Sequence, residues 1–176
     1  VVDEQSYKLL DEFLASGWIR VGGYLKRRPL FPSKSAPRRN IPIRIRLEDF
    51  SFSKQQRRVL RKNADVKIDV RPLSIAREDE ELFDRHRSRI NGTPPRTIYD
   101  VIPISSLSVI KKVTITEDDR LLAVSYLDVG KTSTYSIYGI FEPTIVWRSL
   151  GILSILKEIE FSIYEGKEFY YLGFVY

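Results

Sequence analysis

Trp147-Arg148-Ser149-Leu150-Gly151 opens the longest amphipathic run in the chain, which continues from Ile152 to Tyr164. Ile152, Ile155/Leu156, Ile159 and Ile163 recur at i, i+3/4, i+7 and i+11, while Lys157, Glu158 and Ser162 fall off that stripe. Such spacing predicts a helix packed along one side. Ser149, or the residue before it, is placed to cap its start, and Gly166 to end it at the C′ position. Strand-like runs lie on either side, Tyr135 to Phe141 and Phe169 to Val175. Strand, helix, strand is a βαβ unit, which needs a sheet beneath it. The helix start then aims backbone N–H groups beyond the strand ends, a seat for a phosphate or a carbonyl oxygen.

Upstream of this unit, Val109–Thr116, Leu121–Asp128 and Ser133–Phe141 read as a meander with turns at Asp118-Asp119 and Gly130-Lys131. In the last of these strands Tyr135, Ile137, Gly139 and Phe141 are expected on one face, and Ser136, Tyr138 and Ile140 on the other. Ser74–Arg89 reads as a charged helix whose acidic start and basic end suit the helix dipole, with His86 on its solvated face. Val66–Val70 is a strand, and Tyr99–Ile104 a short strand or turn. Ser53 caps a helix over 54–63, along which Lys54, Arg58 and Arg61/Lys62 form a basic stripe with Arg57 beside it. Its apolar complement is thin (Val59, Leu60), so phosphate contacts explain it better than core packing. Ile41–Leu47 alternates, with Arg44 and Arg46 on the face opposite the isoleucines; they are spaced to share one anion or to form a solvated face. Arg28–Asn40 is a Pro- and Ser-bearing loop, Trp18–Lys26 a strand bulged at Gly22-Gly23, and Ser6–Ala15 a short helix stopped by Gly17.

The whole is an α/β (α+β) chain with a basic N-terminal module, residues 1–65, ahead of a catalytic-type domain, residues 66–176. Its net charge of +6 is unevenly spread. Arg20–Lys62 carries 14 Lys and Arg against Glu48 and Asp49, a net +12; the rest carries 15 against 21 acidic residues, a net −6. That asymmetry points to a polyanionic partner, nucleic acid before an anionic membrane, or simply to solubility. No cysteine is present and one histidine is. This excludes disulfides and thiolate catalysis, and no metal site is expected. No window approaches ~18 apolar residues, and Val1-Val2-Asp3-Glu4 shows no signal pattern, so a cytoplasmic protein is expected. A chain opening on Val1 reads as a processed or trimmed form.

With these elements placed, the chain resembles the aminoacyl-tRNA–protein transferases, the arginyltransferases and bacterial aspartate/glutamate leucyltransferases of the N-degron pathway. The matching segments are Gly17-Trp18, the run from Phe52 to Asn63, Ser136-Ile137-Tyr138, Arg148-Ser149-Leu150-Gly151 and Tyr171-Leu172-Gly173, in the family's order. The resemblance implies a mixed sheet with flanking helices like that of the N-acetyltransferases (the GNAT fold), with 3′-aminoacyl-tRNA in place of acetyl-CoA. It also implies transfer of Arg or Leu to the α-amino group of a protein or peptide. Departures are the absence of cysteines between Pro29 and Pro42, where Asn40 stands near the last of them. Glu142-Pro143 stands in place of Asp-Pro, and the chain lacks the family's C-terminal tail.

That chemistry needs no cofactor beyond the aminoacyl-tRNA itself. Aminolysis of an ester runs downhill, and an α-amino group of pKa ~7.7–8.0 is partly neutral at physiological pH. Positioning supplies most of the rate. Asp128 and Glu142 are the candidate bases, both expected at strand ends beside the helix start, with Tyr138 as proton relay or stacking partner. The N–H groups of Leu150 and Gly151, with Ser149 and Arg148, are expected to hold the tRNA 3′ end or the oxyanion. Lys54, Arg57, Arg58, Arg61 and Lys62 are assigned to tRNA phosphates, and Arg44 and Arg46 to an acidic acceptor residue. Acyl-CoA-dependent N-acetylation on the same fold, or a non-catalytic tRNA- or RNA-binding module, are the alternatives.

Overall fold

The computed structural model describes residues 4–21, 24–27, 30–31, 38–39, 41–90, 92–102 and 109–175. Its centre is a six-stranded sheet of order β5-β10-β9-β8-β7-β6, formed by β5 (Ile41–Arg46), β6 (Lys67–Pro72), β7 (Val109–Glu117), β8 (Arg120–Val129), β9 (Ser133–Phe141) and β10 (Phe169–Val175). All neighbours are antiparallel except β9 and β10, which run parallel. The parallel pair is joined by α4 (Leu150–Tyr164), so the expected βαβ unit is present. Asp118 and Asp119 turn the β7–β8 hairpin, both in the left-handed region (φ 46° and 62°), as a primed two-residue turn requires.

Helices cover both faces. On one, α3 (Arg77–Arg87) and a 3-10 turn at Ile98–Asp100 bury Leu82, Phe83 and Ile98 against Ile110, Val124, Tyr126 and Ile140. The same face receives α1 (Glu4–Ala15), whose Leu10 and Leu14 pack on Tyr135 and Tyr171. On the other, α2 (Lys54–Lys62) and α4 lie side by side, with Val59 and Leu60 of α2 meeting the cluster of Ile115, Leu122, Ala123, Leu150 and Leu153. Full burial of an aliphatic side chain such as Leu153 or Leu156 is worth roughly 1.5–3 kcal/mol, which fixes α4 beneath the sheet.

Several expected punctuation marks are present. Ser53 and Gln56 form a reciprocal capping box at the head of α2. Gly166 (φ 66°) ends α4 with both bonds of a Schellman motif, Gly166 N–H to the Ile163 carbonyl and Lys167 N–H to that of Ser162, each 3.0 Å. Gly17 (φ 80°) closes α1 in the same way.

Other readings are corrected. Trp18–Lys26 is an antiparallel hairpin of β1 (Ile19–Val21) and β2 (Tyr24–Lys26); Gly22 and Gly23 lie outside the described residues. Within the stretch read as a loop, β3 (Leu30–Phe31) pairs with β4 (Arg38–Arg39). From the basic N-terminal third, β5 pairs along β10, and the Arg20 guanidinium donates to the buried Asp128 carboxylate of β8. Along α4 the stripe is rotated from the expected one. Ile152 and Ile163 are 51% and 44% exposed, while Glu158 and Ser162 are buried. Finally, the β8–β9 register shifts between Tyr126/Tyr138 and Leu127/Ser136, so β9 carries an extra residue at Ile137. That bulge puts Tyr135 on the same face as Tyr138, where strict alternation would have separated them.

Candidate active site at the parting of β9 and β10

The parallel pair holds register over three residue pairs only, Phe169/Ser133, Tyr170/Thr134 and Tyr171/Tyr135. Immediately beyond, both strands bulge, β9 at Ile137 and β10 at Leu172, where its register with β5 also shifts. From there β9 runs on beside β8 and β10 beside β5, no longer paired with each other. A parallel sheet that opens at the carboxyl ends of two strands linked by a helix is a natural ligand seat. Gly139, on the open side of β9, is exposed.

At the top of this parting the chain leaves β9 through Glu142 and Pro143. It makes a 3-10 turn at Val146–Arg148, places Ser149 in the left-handed region (φ 55°), and enters α4. A cleft of about 350 Å³ lies at the carboxyl end of β9 and the head of α4, lined among others by Arg89, Phe141, Glu142, Val146, Gly151 and Ile152, with no residue of β10 in its lining. Leu150 and Gly151, the first two residues of α4, line it, at the end of a helix where N–H groups lack intrahelical partners. Gly151 lets the wall close: a Cβ there would lie 2.8 Å from Cε1 of Phe141. Ser149 lines the cleft too, but its side chain makes no cap.

Glu142 is buried. Its Oε2 accepts from Arg85 Nε at 2.9 Å and its Oε1 from the Thr144 hydroxyl at 2.8 Å, with Arg120 at 3.6 Å. Burial alone would raise its pKa; the bonds from Thr144 and Arg85 more than offset that and hold the carboxyl below its ordinary value, hence ionised. Tyr138 stands 6.3 Å, ring centre to ring centre, from both Phe83 and His86. Burial pushes its hydroxyl up, with Arg89 opposing; Tyr138 packs against the α3-side core and is not among the residues that line the cleft.

Asp128 is not there. It pairs with Tyr135 in the β8–β9 ladder, whereas Ala123 pairs with Phe141, so it lies at the far end of the sheet from the head of α4. At ~3.3 Å per residue the separation is roughly 15–20 Å. It is fully buried against Arg20, and the hydroxyl of neighbouring Tyr135 is pushed by burial to about 12. Arg148 is corrected as well. It is 2% exposed and does not line the cleft. Its guanidinium forks onto Asp65 (3.0 and 2.6 Å), bonds Asn63 Oδ1 at 3.1 Å and reaches Glu117, while Asn63 Nδ2 returns a bond to the Arg148 carbonyl at 2.9 Å. This cluster ties the end of α2, the tip of β7 and the turn before α4 together.

The basic row of α2 is exposed throughout, at Lys54, Arg57, Arg58, Arg61 and Lys62. Its C-terminal end meets the site: Lys62 Nζ donates to the Trp147 carbonyl and lies 3.3 Å from Ser149 Oγ. Arg44 and Arg46 sit elsewhere. Arg44 stacks on Phe169 (4.2 Å), donates to the Tyr171 hydroxyl at 3.0 Å and lines a 220 Å³ cleft with Asp11, level with the foot of the parting. Arg46 is exposed beside Glu48 and Asp49.

Two residues escaped the sequence reading. His86 is buried, its ring 4.6 Å from that of Phe141 and its Nδ1 3.1 Å from the Phe141 backbone N–H and carbonyl. Burial first, then Arg89, lowers its pKa from the ordinary 6.5. An imidazole of depressed pKa adds stability that is full above 6.5 and lost as pH falls through the folded-state value, because the unfolded chain binds the proton more readily. As His86 is the only histidine, stability is expected to fall between about pH 7 and pH 5, and His86→Asn to flatten that slope in urea unfolding at both pH values. Glu158 is the second. It is buried beneath the parting with its carboxyl 2.6 Å from the Tyr170 hydroxyl. Burial pushes it up, with neighbouring hydroxyls, the bonded Tyr170 among them, opposing.

Among the described residues no group of three or more His, Cys, Asp and Glu stands together to hold a metal ion, and no helix is long and apolar enough to cross a membrane. The family profile described as arginine-tRNA-protein transferase, C terminus, matches residues 78–176, which contain all but the first residue of α3, the meander, the cleft and the βαβ unit. The chain belongs to this transferase family.

Relatives of the family include the aspartate/glutamate leucyltransferase of Shewanella sp. (strain MR-7), 31% identical over 94% of this chain and 70% of its own. That of Campylobacter jejuni is 23% identical over 98% of this chain and 74% of its own. Among solved structures, the C-terminal domain of a putative lysylphosphatidylglycerol synthetase from Agrobacterium fabrum superposes with TM-score 0.60 at 17% identity, over 94% of this chain and 50% of that one. FemX superposes with TM-score 0.57 at 10% identity, over 94% of this chain and 59% of that one. The chain thus spans about half the length of these structures, which share its fold.

Proposed function

We propose that this chain moves an amino acid, leucine or arginine, from aminoacyl-tRNA to the α-amino group of an acceptor protein or peptide, as an N-degron enzyme of the cytoplasm. The observation that carries this reading is the parting of β9 from β10 directly under a helix start that the basic row of α2 abuts. The slot suits an extended acyl donor, the N–H groups of Leu150 and Gly151 suit a developing oxyanion, and the cations suit a polyanionic carrier. The layout matches the N-acetyltransferase-like arrangement that the sequence resemblance implies, with a nucleic-acid ester as donor.

In this reading the acceptor nitrogen attacks the ester carbonyl carbon. A C–N bond forms, the C–O bond to the ribose breaks, and the proton lost by the amine ends on the departing ribose oxygen. Tyr138 relays that proton. Glu142, held ionised by Arg85 and Thr144, orients the incoming amine. Arg89, exposed over the Phe141 ring at 4.5 Å, supplies the cation that an acidic acceptor side chain needs at the cleft. No metal or organic cofactor enters, since the ester is already activated.

The test is single-turnover transfer from labelled leucyl- and arginyl-tRNA to peptides beginning with Asp, Glu or Ala. Label is expected on the Asp and Glu peptides from one of the two tRNAs. Absence of transfer from either, with acetyl transfer from acetyl-CoA in its place, would reassign the slot to a coenzyme thioester.

A further inference from the structure

Trp147 takes no part in the transfer chemistry just described, yet it is the most conspicuous side chain at the head of α4. It is 59% exposed, whereas the chain's other tryptophan, Trp18, is half-buried edge-on against Phe13 at 5.2 Å. Its ring is not loose. The Arg148 guanidinium lies 4.4 Å from the ring centre, and that guanidinium is itself buried and fixed by Asp65, Asn63 and Glu117. One face of the indole is therefore backed by a fixed cation, while most of the residue is exposed. An exposed aromatic costs most when its rotamers must be frozen on binding; here the freezing is already done. Beside it, Lys62 donates to the Trp147 carbonyl, and the exposed cations of α2 continue the row with no acidic residue inside that helix. Asp65, just past the end of α2, and Glu117 are both bound by Arg148.

A flat, pre-set aromatic face next to a row of cations is the pairing that single-stranded nucleic acid uses, bases on the ring and phosphates on the cations. We infer that Trp147 is a stacking seat for an unpaired nucleobase at the tRNA 3′ end, with Lys62 as its phosphate neighbour. This rests on the transfer reading for the identity of the nucleic acid, but it is tested by binding alone, without charged tRNA or acceptor.

The probe is the full chain carrying Trp18→Phe, so that Trp147 is the sole tryptophan fluorophore. It is titrated with uncharged tRNA that either keeps its unpaired 3′ nucleotides or has had them removed. Intact tRNA is expected to quench Trp147 and truncated tRNA to quench it little. By affinity measurement, Trp147→Ala is expected to weaken intact tRNA roughly ten- to a hundredfold while leaving truncated tRNA and the salt slope unchanged, since a stacked base releases no counterion. Trp147→Phe keeps a ring and is expected to recover most of the affinity, which separates stacking from a merely structural role. Equal loss for both tRNAs, equal quenching by both, or a shift in sedimentation that Trp147→Ala abolishes, showing that Trp147 serves a second copy, would each overturn the inference. Failure of either tRNA to bind would overturn it together with the transfer reading, whereas selective quenching without transfer would sink only the latter.

Discussion

Replacing Arg148 by leucine is expected to cost about 3 kcal/mol of folding stability, although leucine suits the apolar neighbourhood of α4. The guanidinium makes its bonds from a buried position to Asn63, Asp65 and Glu117, and its removal breaks all of them at once. Removing one member of a buried ion cluster commonly costs 3–5 kcal/mol; the lower end applies here because Asp65 and Glu117 keep access to water and are not stranded. Lysine in its place keeps the charge but not the planar fork, so Arg148→Lys should fall between the two. The acid limb provides an independent check. The Asp65 carboxyl is held below its usual 3.8, first by its bond from Arg148. A depressed carboxylate adds stability that is full above 3.8 and lost as pH falls through its folded-state value, so that limb should shrink in Arg148→Leu. Urea unfolding at neutral pH and near pH 3 measures both. A loss under about 1 kcal/mol would mean that water replaces the cluster without cost, and that the turn before α4 is held by something else.

The same residue shows where sequence reading stops. Arg148 lies one residue from the αL turn that opens α4, so its type and place point to an anion seat. What turns it inward is a set of partners 31 to 85 positions away, brought close only once β7 and α2 pack beside α4. Asp128 failed for a different reason. Being last-but-one in its strand, it reads as adjacent to the next element, but the antiparallel turn carries that end of β8 to the start of β9 and away from Phe141. Glu158 and Ser162 were assigned to the wet side of α4 because their partners, Tyr170 and Thr134, belong to strands and are invisible to helical periodicity. His86 was likewise hidden, as α3 offers a polar-looking face whose histidine meets the backbone of β9. Local signals fared better. The Ser53 cap, the Gly166 and Gly17 terminators, the Asp118-Asp119 turn and the βαβ order each depend on residues within one turn or one hairpin of each other. Glu142, Leu150 and Gly151 line one cleft because they flank a single connection, β9 to α4.

Alanine at Lys54, Arg58 and Arg61 together is expected to weaken tRNA binding roughly a hundredfold near physiological salt. The three lie at i, i+4 and i+7 on one side of α2, and all are exposed. Their removal costs the fold little: the helix keeps its capping box and its Val59 and Leu60 contacts, and surface substitutions of this kind stay within about 0.5 kcal/mol. If each cation neutralises one phosphate, each releases counterions, and the slope of log affinity against log salt becomes shallower by ~0.7–0.9 per residue. The triple variant should therefore lose roughly two to three units of slope and converge on the parent protein at high salt. Arg57 is the internal control. Its guanidinium bonds the Phe52 carbonyl, so Arg57→Ala should change the slope less than any one of the three. Transfer measured at saturating tRNA should be nearly unaffected, because none of these residues reaches the cleft beside Glu142 and Gly151. Parallel salt plots for parent and triple variant would remove α2 from the tRNA surface. The net +12 of the N-terminal third would then have to act through cations outside α2, such as Arg44 and Arg46 of β5, the strand beside β10.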